Sequence, residues 1–203
     1  MTRNSRVTRA PPVVHRSPRA VSIAPPAHRT LPGTDADAFR QLARRWAATV
    51  NVVTVRRREG AHGLDAPALD GFTATAFLTV SMDPPIVLVS ASNGTSAAPM
   101  LRDADHLVVN LLAEDQQPLA ESFSRAQEHR ADLWATLPWT PDAAGAPVLA
   151  GTLGAYSARV RERIDAGDHT LVLGDVTAVH LGTAESPLVY FNRAYAALSP
   201  REE

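Results

Sequence analysis

The feature that most constrains the fold is a pair of long strand-like segments in the last third of the chain, separated by a two-residue turn. Tyr156, Ala158, Val160, Glu162 and Ile164 alternate with Ser157, Arg159, Arg161 and Arg163. This period of two puts a mainly apolar row on one side of a strand and a cationic row on the other. Gly167-Asp168 follows as a turn pair, and Thr170 to Leu181 reads as the returning strand, with a bulge expected at Gly174. Strands joined by so short a turn pair antiparallel.

Upstream, strands outnumber helices. Val50-Asn51-Val52-Val53-Thr54-Val55 is a β-branched run, Phe72 to Val80 alternates Thr and Ala with larger apolar residues, and Ile86 to Val89 is a buried-strand run between Pro84-Pro85 and the turn Asn93-Gly94. His106 to Leu112 and Pro187 to Phe191 read as further strands. Thr34 stands three residues before Asp37 and ahead of Phe39, Leu42, Ala43, Trp46 and Ala47. That spacing predicts a capped amphipathic helix whose apolar face packs on something. Short helices are expected at Ala98 to Asp103 and Asp115 to Phe123, a long connection from Arg56 to Asp70, and irregular chain from Trp134 to Pro147. Six or seven strands without strand–helix alternation predict a mainly β fold, a closed antiparallel barrel rather than a doubly wound parallel sheet.

Charge divides the chain. Residues 1–30 carry six Arg and no acid, formally +6, while the remainder sets 14 Arg against 21 acids, formally −7. The basic segment holds five prolines and few large apolar side chains, so burial cannot offset its ordering entropy. We expect a disordered extension over residues 1–33 and one domain over 34–200. The prolines oppose an amphipathic presequence, and the acidic body would repel a phosphate backbone, which argues against nucleic acid as a partner. Apolar runs such as Pro84 to Val89 fall far short of the roughly 20 residues a membrane-spanning helix needs; the expected location is cytoplasmic. The chain has no Cys, which excludes disulfides, thiolate nucleophiles and Cys-ligated metals. Gly-x-Gly-x-x-Gly, phosphate-loop, Gly-x-Ser-x-Gly and His-Glu-x-x-His motifs are absent, and the seven His are scattered, so no metal site is expected.

Two constellations remain. The first joins Gly71-Phe72-Thr73-Ala74-Thr75-Ala76 to Ser90-Ala91-Ser92-Asn93-Gly94-Thr95-Ser96, the end of the next strand. Hydroxyls and small residues at strand ends expose backbone N–H groups, as a phosphate or a flavin ring edge would require. The second is Gly167-Asp168-His169-Thr170 at the hairpin turn; read alone, Asp168 caps the turn and His169 is a strand residue.

In order, these pieces resemble the flavin reductase-like family of NAD(P)H:flavin oxidoreductases. The resemblance is carried by Phe39-Arg40…Trp46-Ala47…Val52-Val53-Thr54, Gly71-x-Thr73-Ala74-x-x-Phe77-x-x-Val80-Ser81-x-Asp83-Pro84-Pro85, Val109-Asn110-Leu111-Leu112, Leu119-Ala120-x-x-Phe123-Ser124, Gly145-x-Pro147-x-Leu149, Gly167-Asp168-His169-Thr170-Leu171-x-x-Gly174-x-Val176 and Pro187-Leu188-Val189-Tyr190…Tyr195. Thr49, Ala76 and Ala97 stand where that family usually has Gly, Ser and Ser.

The resemblance implies a split β-barrel, a homodimer, FMN or FAD in a groove near the dimer interface, and NADH or NADPH as hydride donor. It implies a flavin site lined by Gly71, Phe72, Thr73, Thr75, Ala76, Ser90, Ala91, Ser92, Asn93, Thr95, Ser124, Arg125 and Arg130. His169, fixed by Asp168, would act at the nicotinamide, with Tyr190 and Arg193 beside it. The implied function is reduction of flavin by hydride transfer to N5, with diffusive supply to a partner flavin-dependent oxygenase. Two alternatives stand: a flavoenzyme that retains its flavin and acts on an organic substrate in biosynthesis, and a non-catalytic flavin-binding relative.

Overall fold

The computed structural model describes residues 29–57, 69–125 and 131–198. The first helix, α1, is Ala36–Ala43, followed by β1 (Ala48–Thr49) and β2 (Asn51–Arg56). Then come β3 (Leu69–Ala74), β4 (Phe77–Met82), β5 (Pro85–Ser92), α2 (Ala97–Asp103) and β6 (His106–Leu111). A 3-10 turn at Glu114–Gln116 leads into α3 (Gln117–Ser124), α4 (Ala131–Thr136) and the short strands β7 (Trp139–Pro141) and β8 (Pro147–Leu149). The long hairpin β9 (Gly154–Ala166) and β10 (His169–Leu181) precedes β11 (Val189–Phe191) and β12 (Ala194–Ala196).

Seven strands form one antiparallel sheet in the order β3-β2-β6-β9-β10-β5-β4. β3 and β4 lie at opposite edges of that order, yet only Thr75 and Ala76 join them. The sheet must therefore curl until its edges meet at this link, where Ser90 N–H donates to the Ala76 carbonyl at 3.0 Å. Away from the link no hydrogen-bonded ladder joins β3 to β4 among the described residues. The result is a mainly β split barrel with a few short helices.

β2 is buried on both faces, which explains its unbroken β-branched sequence. Val53 and Val55 point into the barrel with Val89, Leu107, Val109 and Val172, and α2 plugs one end with Met100 and Leu101. Val50 and Val52 point outward, against Ala120 and Phe123 of α3. Buried Asn110 anchors the β7–β8 hairpin to the sheet: its Nδ2 donates to the Val52 carbonyl at 3.1 Å, and its Oδ1 accepts from Leu149 N–H at 2.8 Å.

The hairpin and its bulge fall where the alternation and Gly174 placed them, with a register shift between Leu173 and Gly174. A Cβ on Gly174 would lie 2.9 Å from the Ala158 Cβ, so this crossing requires glycine. The shift overturns the expected single apolar face of β9. Ala158 and Val160 face the core, but beyond the bulge Glu162 pairs with Leu173 and Ile164 with Leu171 on the outer surface. Arg163, opposite buried Val172, instead donates to the Leu101 and Ala104 carbonyls at the end of α2, cations being favoured at helix C-termini.

Other expectations require correction. Asp35, not Thr34, caps α1: its Oδ1 accepts from the N–H groups of Asp37 and Ala38. The helix stops at Ala43, and none of its residues is buried; Phe39, Leu42 and, beyond the helix, Trp46 are 70%, 72% and 78% exposed. Phe72 to Val80 is two strands, because the edge-joining link interrupts it. Trp134 to Pro147 is not wholly irregular: Trp134 lies in α4 and Trp139 begins β7. Trp134 packs edge-on against both Phe123 and Trp139, with centroids 5.3 and 6.5 Å away. The basic extension, apart from residues 29–33, and most of the Arg56 to Asp70 connection lie outside the described residues.

Candidate functional site

Antiparallel pairing brings the hairpin turn to the end of β5. His169 is opposite Ser92, Thr170 opposite Ala91 and Leu171 opposite Ser90. Three hydrogen bonds fasten the corner. Asn93 N–H donates to the Asp168 carbonyl at 2.8 Å, Thr170 Oγ1 donates to Asn93 Oδ1 at 2.6 Å, and Thr95 Oγ1 donates to the Ser92 carbonyl at 2.8 Å.

His169 shares the outer face of the sheet with Ser90 and Ser92, since directly opposed residues project to the same side. Its side chain is 43% exposed and its Nδ1 lies 2.7 Å from Asp168 Oδ1. The hydrogen bond to His169, then the field of that imidazole, holds the Asp168 carboxyl below its ordinary value. An ionised carboxylate can only accept, so the His169 nitrogen that faces Asp168 is the donor of this bond.

The edge-joining link continues this rim. Ala76 is tied to Ser90, and Ser90 is two strand residues, about 7 Å, from Ser92. Thr75 and Ala76 form part of a cleft of about 560 Å³ that Tyr190 and Arg193 also line. Tyr190 stacks edge-on with Tyr195 at 5.3 Å, and Arg193 sits at the β11–β12 turn with φ 66°. Burial pushes the Tyr195 hydroxyl up from its ordinary pKa. Asn192 N–H donates to the Arg44 carbonyl at 2.8 Å, which holds the end of α1 against this turn.

Not every candidate converges. Phe72 buries its ring in the core and Ala91 faces inward, so both could meet a ligand only through their backbone. Gly71 serves packing, because the space of its missing Cβ is taken by the Phe123 ring and the Val53 carbonyl, each 2.9 Å from where that atom would be. Thr73 donates its hydroxyl to the Ala120 carbonyl at 2.6 Å and so ties α3 to β3. Ser124, whose Oγ donates to the Glu121 carbonyl at 2.7 Å, and Arg125 stand at the end of α3 and do not line the cleft. Arg130 lies outside the described residues.

Five cleft residues were not singled out as binding residues from the sequence: Arg40, Ala43, Arg44, Trp46 and Ala48. The Arg40 guanidinium is held by Asp37 at 2.7 Å, whereas Arg44 and Arg193 have no carboxylate partner among the described residues. Their signal was the cation-rich end of the first helix, which sequence alone could not attach to a site 30 residues further on. The hydroxyls of Thr75, Ser90 and Ser92 likewise have no hydrogen-bond partner among the described residues. The Thr75 hydroxyl, in one cleft with the Arg44 and Arg193 guanidinium groups, belongs to a donor set suited to phosphate and to the polar edge of a flavin. Among the described residues, no three His, Asp or Glu gather as metal ligands do, and no helix is long and apolar enough to cross a membrane.

The family model described as flavin reductase like domain matches residues 43–199. The chain belongs to this family. As a flavin reductase-like protein it is 39% identical over 175 residues to an NADH:FMN oxidoreductase of Rhodococcus qingshengii, a match that spans 83% of this chain and 84% of that one. It is 35% identical over 164 residues to the actinorhodin polyketide dimerase of Streptomyces coelicolor, spanning 81% and 87%. Among solved structures, it superposes on BorF, the flavin reductase component of a bacterial two-component tryptophan halogenase, with a TM-score of 0.71 and 26% identity. That superposition covers 82% of this chain and 100% of BorF.

Proposed function

We propose that this flavin reductase-like protein is an NAD(P)H:flavin oxidoreductase that reduces FMN or FAD and supplies it to a partner oxygenase. The observation that carries the reading is the continuous rim from Thr75-Ala76 through Ser90 and Ser92 to His169, secured by the Ala76–Ser90 and Asp168–Asn93 hydrogen bonds. Kinship with an NADH:FMN oxidoreductase and with a halogenase's reductase component supports it. When bound, a flavin offers N5 as acceptor for the hydride that nicotinamide C4 carries.

The chain's own part is mainly to bind and align. Ser90, Ser92 and Thr75 present hydroxyls to the flavin, and the half-exposed His169 directs Nε2 toward the nicotinamide. Asp168 is a positioning residue that acts by fixing the imidazole. Such chemistry needs near-attack geometry more than proton transfer from the protein. Tyr190 and Arg193, which line the cleft with Thr75 and Ala76, enter as part of the same proposal.

A homodimer completes the reading. The outer face of the β4–β5–β10–β9 sheet exposes Leu78 and Ile164, and Leu78 pairs with Leu88 while Ile164 pairs with Leu171. This apolar area lies beside His169 and is suited to a second copy. Reduced flavin would then pass to the oxygenase by diffusion.

A second reading is favoured by the likeness to the actinorhodin polyketide dimerase: a split-barrel flavoenzyme that keeps its flavin and acts on an organic substrate. Steady-state NAD(P)H oxidation with added FMN or FAD separates the two. Turnover that saturates in free flavin supports the reductase; a yellow protein indifferent to added flavin supports the second reading. His169→Ala should lower turnover roughly tenfold to a hundredfold while flavin affinity holds, and equal loss of both would make His169 structural.

A further inference from the structure

Asn51 opens β2 ahead of Val52 and Val53 and is fully buried. It lies opposite Ala74 on one side and Leu111 on the other, both of which pack in the barrel, so its side chain points inward with theirs. A valine there would extend the inward row of Val53 and Val55, whereas a buried amide is destabilising unless its polar atoms are paired. This one is paired only in part. Its Nδ2 donates to the Thr49 carbonyl at 3.2 Å and to the Ala74 carbonyl at 3.5 Å, which fixes the orientation of the amide. Its buried Oδ1 has no hydrogen-bond partner among the described residues.

The two carbonyls belong to different sheets. Thr49 ends β1 in the β1-β11-β12 sheet, and Ala74 ends β3 at the barrel edge, directly before the Thr75–Ala76 link. Both sheets contribute walls to the cleft: Ala48, paired with Tyr190, lines it from one and Thr75 from the other. One buried amide therefore spans the roots of two walls. We propose that Asn51 is a positioning residue whose amide sets the separation of Ala48 and Thr75, and with it the width of the cleft, while an unpaired acceptor in the core lowers stability. A local rule of core composition is broken in this way where function requires it. Val50, between the two strands, donates its N–H to the Leu188 carbonyl and accepts from Leu112 N–H, so the strand order does not depend on the amide; the angle between the sheets does. The proposal rests on the flavin reductase reading for what fills the cleft, and the tether itself does not.

The test is Asn51→Val in the full chain, read by stability, flavin binding and hydrogen exchange rather than by turnover. Tm should stay at or above that of the wild type, because the unpaired acceptor leaves with the amide. Titration with FMN and with FAD should nonetheless show affinity weakened about fivefold or more, the loss of one positioning hydrogen bond. Stability and binding thus move in opposite directions, which an ordinary core residue would not produce. Native-state exchange locates the cause: the Ser90 amide, which donates to the Ala76 carbonyl of the link, should exchange about fivefold faster or more, while the amides of β6 keep their protection. A Tm that falls together with flavin affinity makes Asn51 a structural core residue and overturns the proposal. Unchanged exchange at Ser90, or an affinity equal to that of a flavin-binding wild type, overturns it as well. A wild type that binds neither flavin would overturn the reductase reading, and exchange at Ser90 would still decide on the tether.

Discussion

Gly71→Ala tests how tightly the wall behind the rim is built. A Cβ there would stand 2.9 Å from Phe123 Cε1, 3.2 Å from Phe123 Cδ1 and 2.9 Å from the Val53 carbonyl oxygen. The ring could yield only by pressing on Trp134, whose centroid is 5.3 Å away, and the carbonyl belongs to the β2–β3 pairing, where Val53 lies opposite Phe72. Overpacking of this kind costs about 1–3 kcal/mol, which in a domain of this size lowers Tm by roughly 2–4 °C per kcal/mol. β3 also carries Thr73, tied to α3, and leads into Thr75, so the added methyl should weaken flavin binding together with stability. Differential scanning calorimetry and flavin titration measure the two effects. Adding Phe123→Leu should relieve the contact with the ring but not the one with the carbonyl, leaving a double-mutant coupling of about 1 kcal/mol. A Gly71→Ala protein with unchanged Tm and flavin affinity would refute the reasoning.

The depressed pKa of Asp168 means that its bond to His169 favours the ionised carboxylate. That contribution is present above the unfolded carboxylate pKa and is lost as pH falls through the lower folded value. An NMR titration should place Asp168 below an ordinary aspartate, and His169→Ala should return it to normal; no change on that substitution would break the link. Arg163→Met should remove the guanidinium from the Leu101 and Ala104 carbonyls and cost about 1–2 kcal/mol, read by chemical denaturation, with the loss concentrated in hydrogen-exchange protection of α2. Leu78→Asp combined with Ile164→Arg should convert a dimer to monomers in light scattering at micromolar concentration, and an unaltered mass would remove the outer sheet face from the interface.

Much of the barrel was legible because its signals are local. The β9–β10 hairpin announces itself through a period of two, a Gly-Asp turn and a bulge glycine, and β2 through a run of β-branched residues that are buried on both faces. Asp35 displaced Thr34 as the cap because both are competent N-cap residues one position apart, and only the backbone path decides between them. The apolar stripe of α1 was legible as a helix signal, but it finds no cover among the described residues. Within the site, the corner at His169 followed from local motifs. The cleft did not, because it needs Arg44, Thr75 and Arg193 to meet from three distant segments, and no spacing in the chain encodes that meeting. Gly71 and the Phe72 ring also serve packing, a role that only the positions of Phe123 and the core reveal.

The two-residue join between the outermost strands limits which changes of sequence the barrel can absorb. Most surface loops can gain residues at little cost, but Thr75 and Ala76 span a gap whose width is dictated by the circumference of the whole sheet. An inserted residue at that join should therefore part the sheet's two edges, whereas a change of side chain there leaves the closure intact.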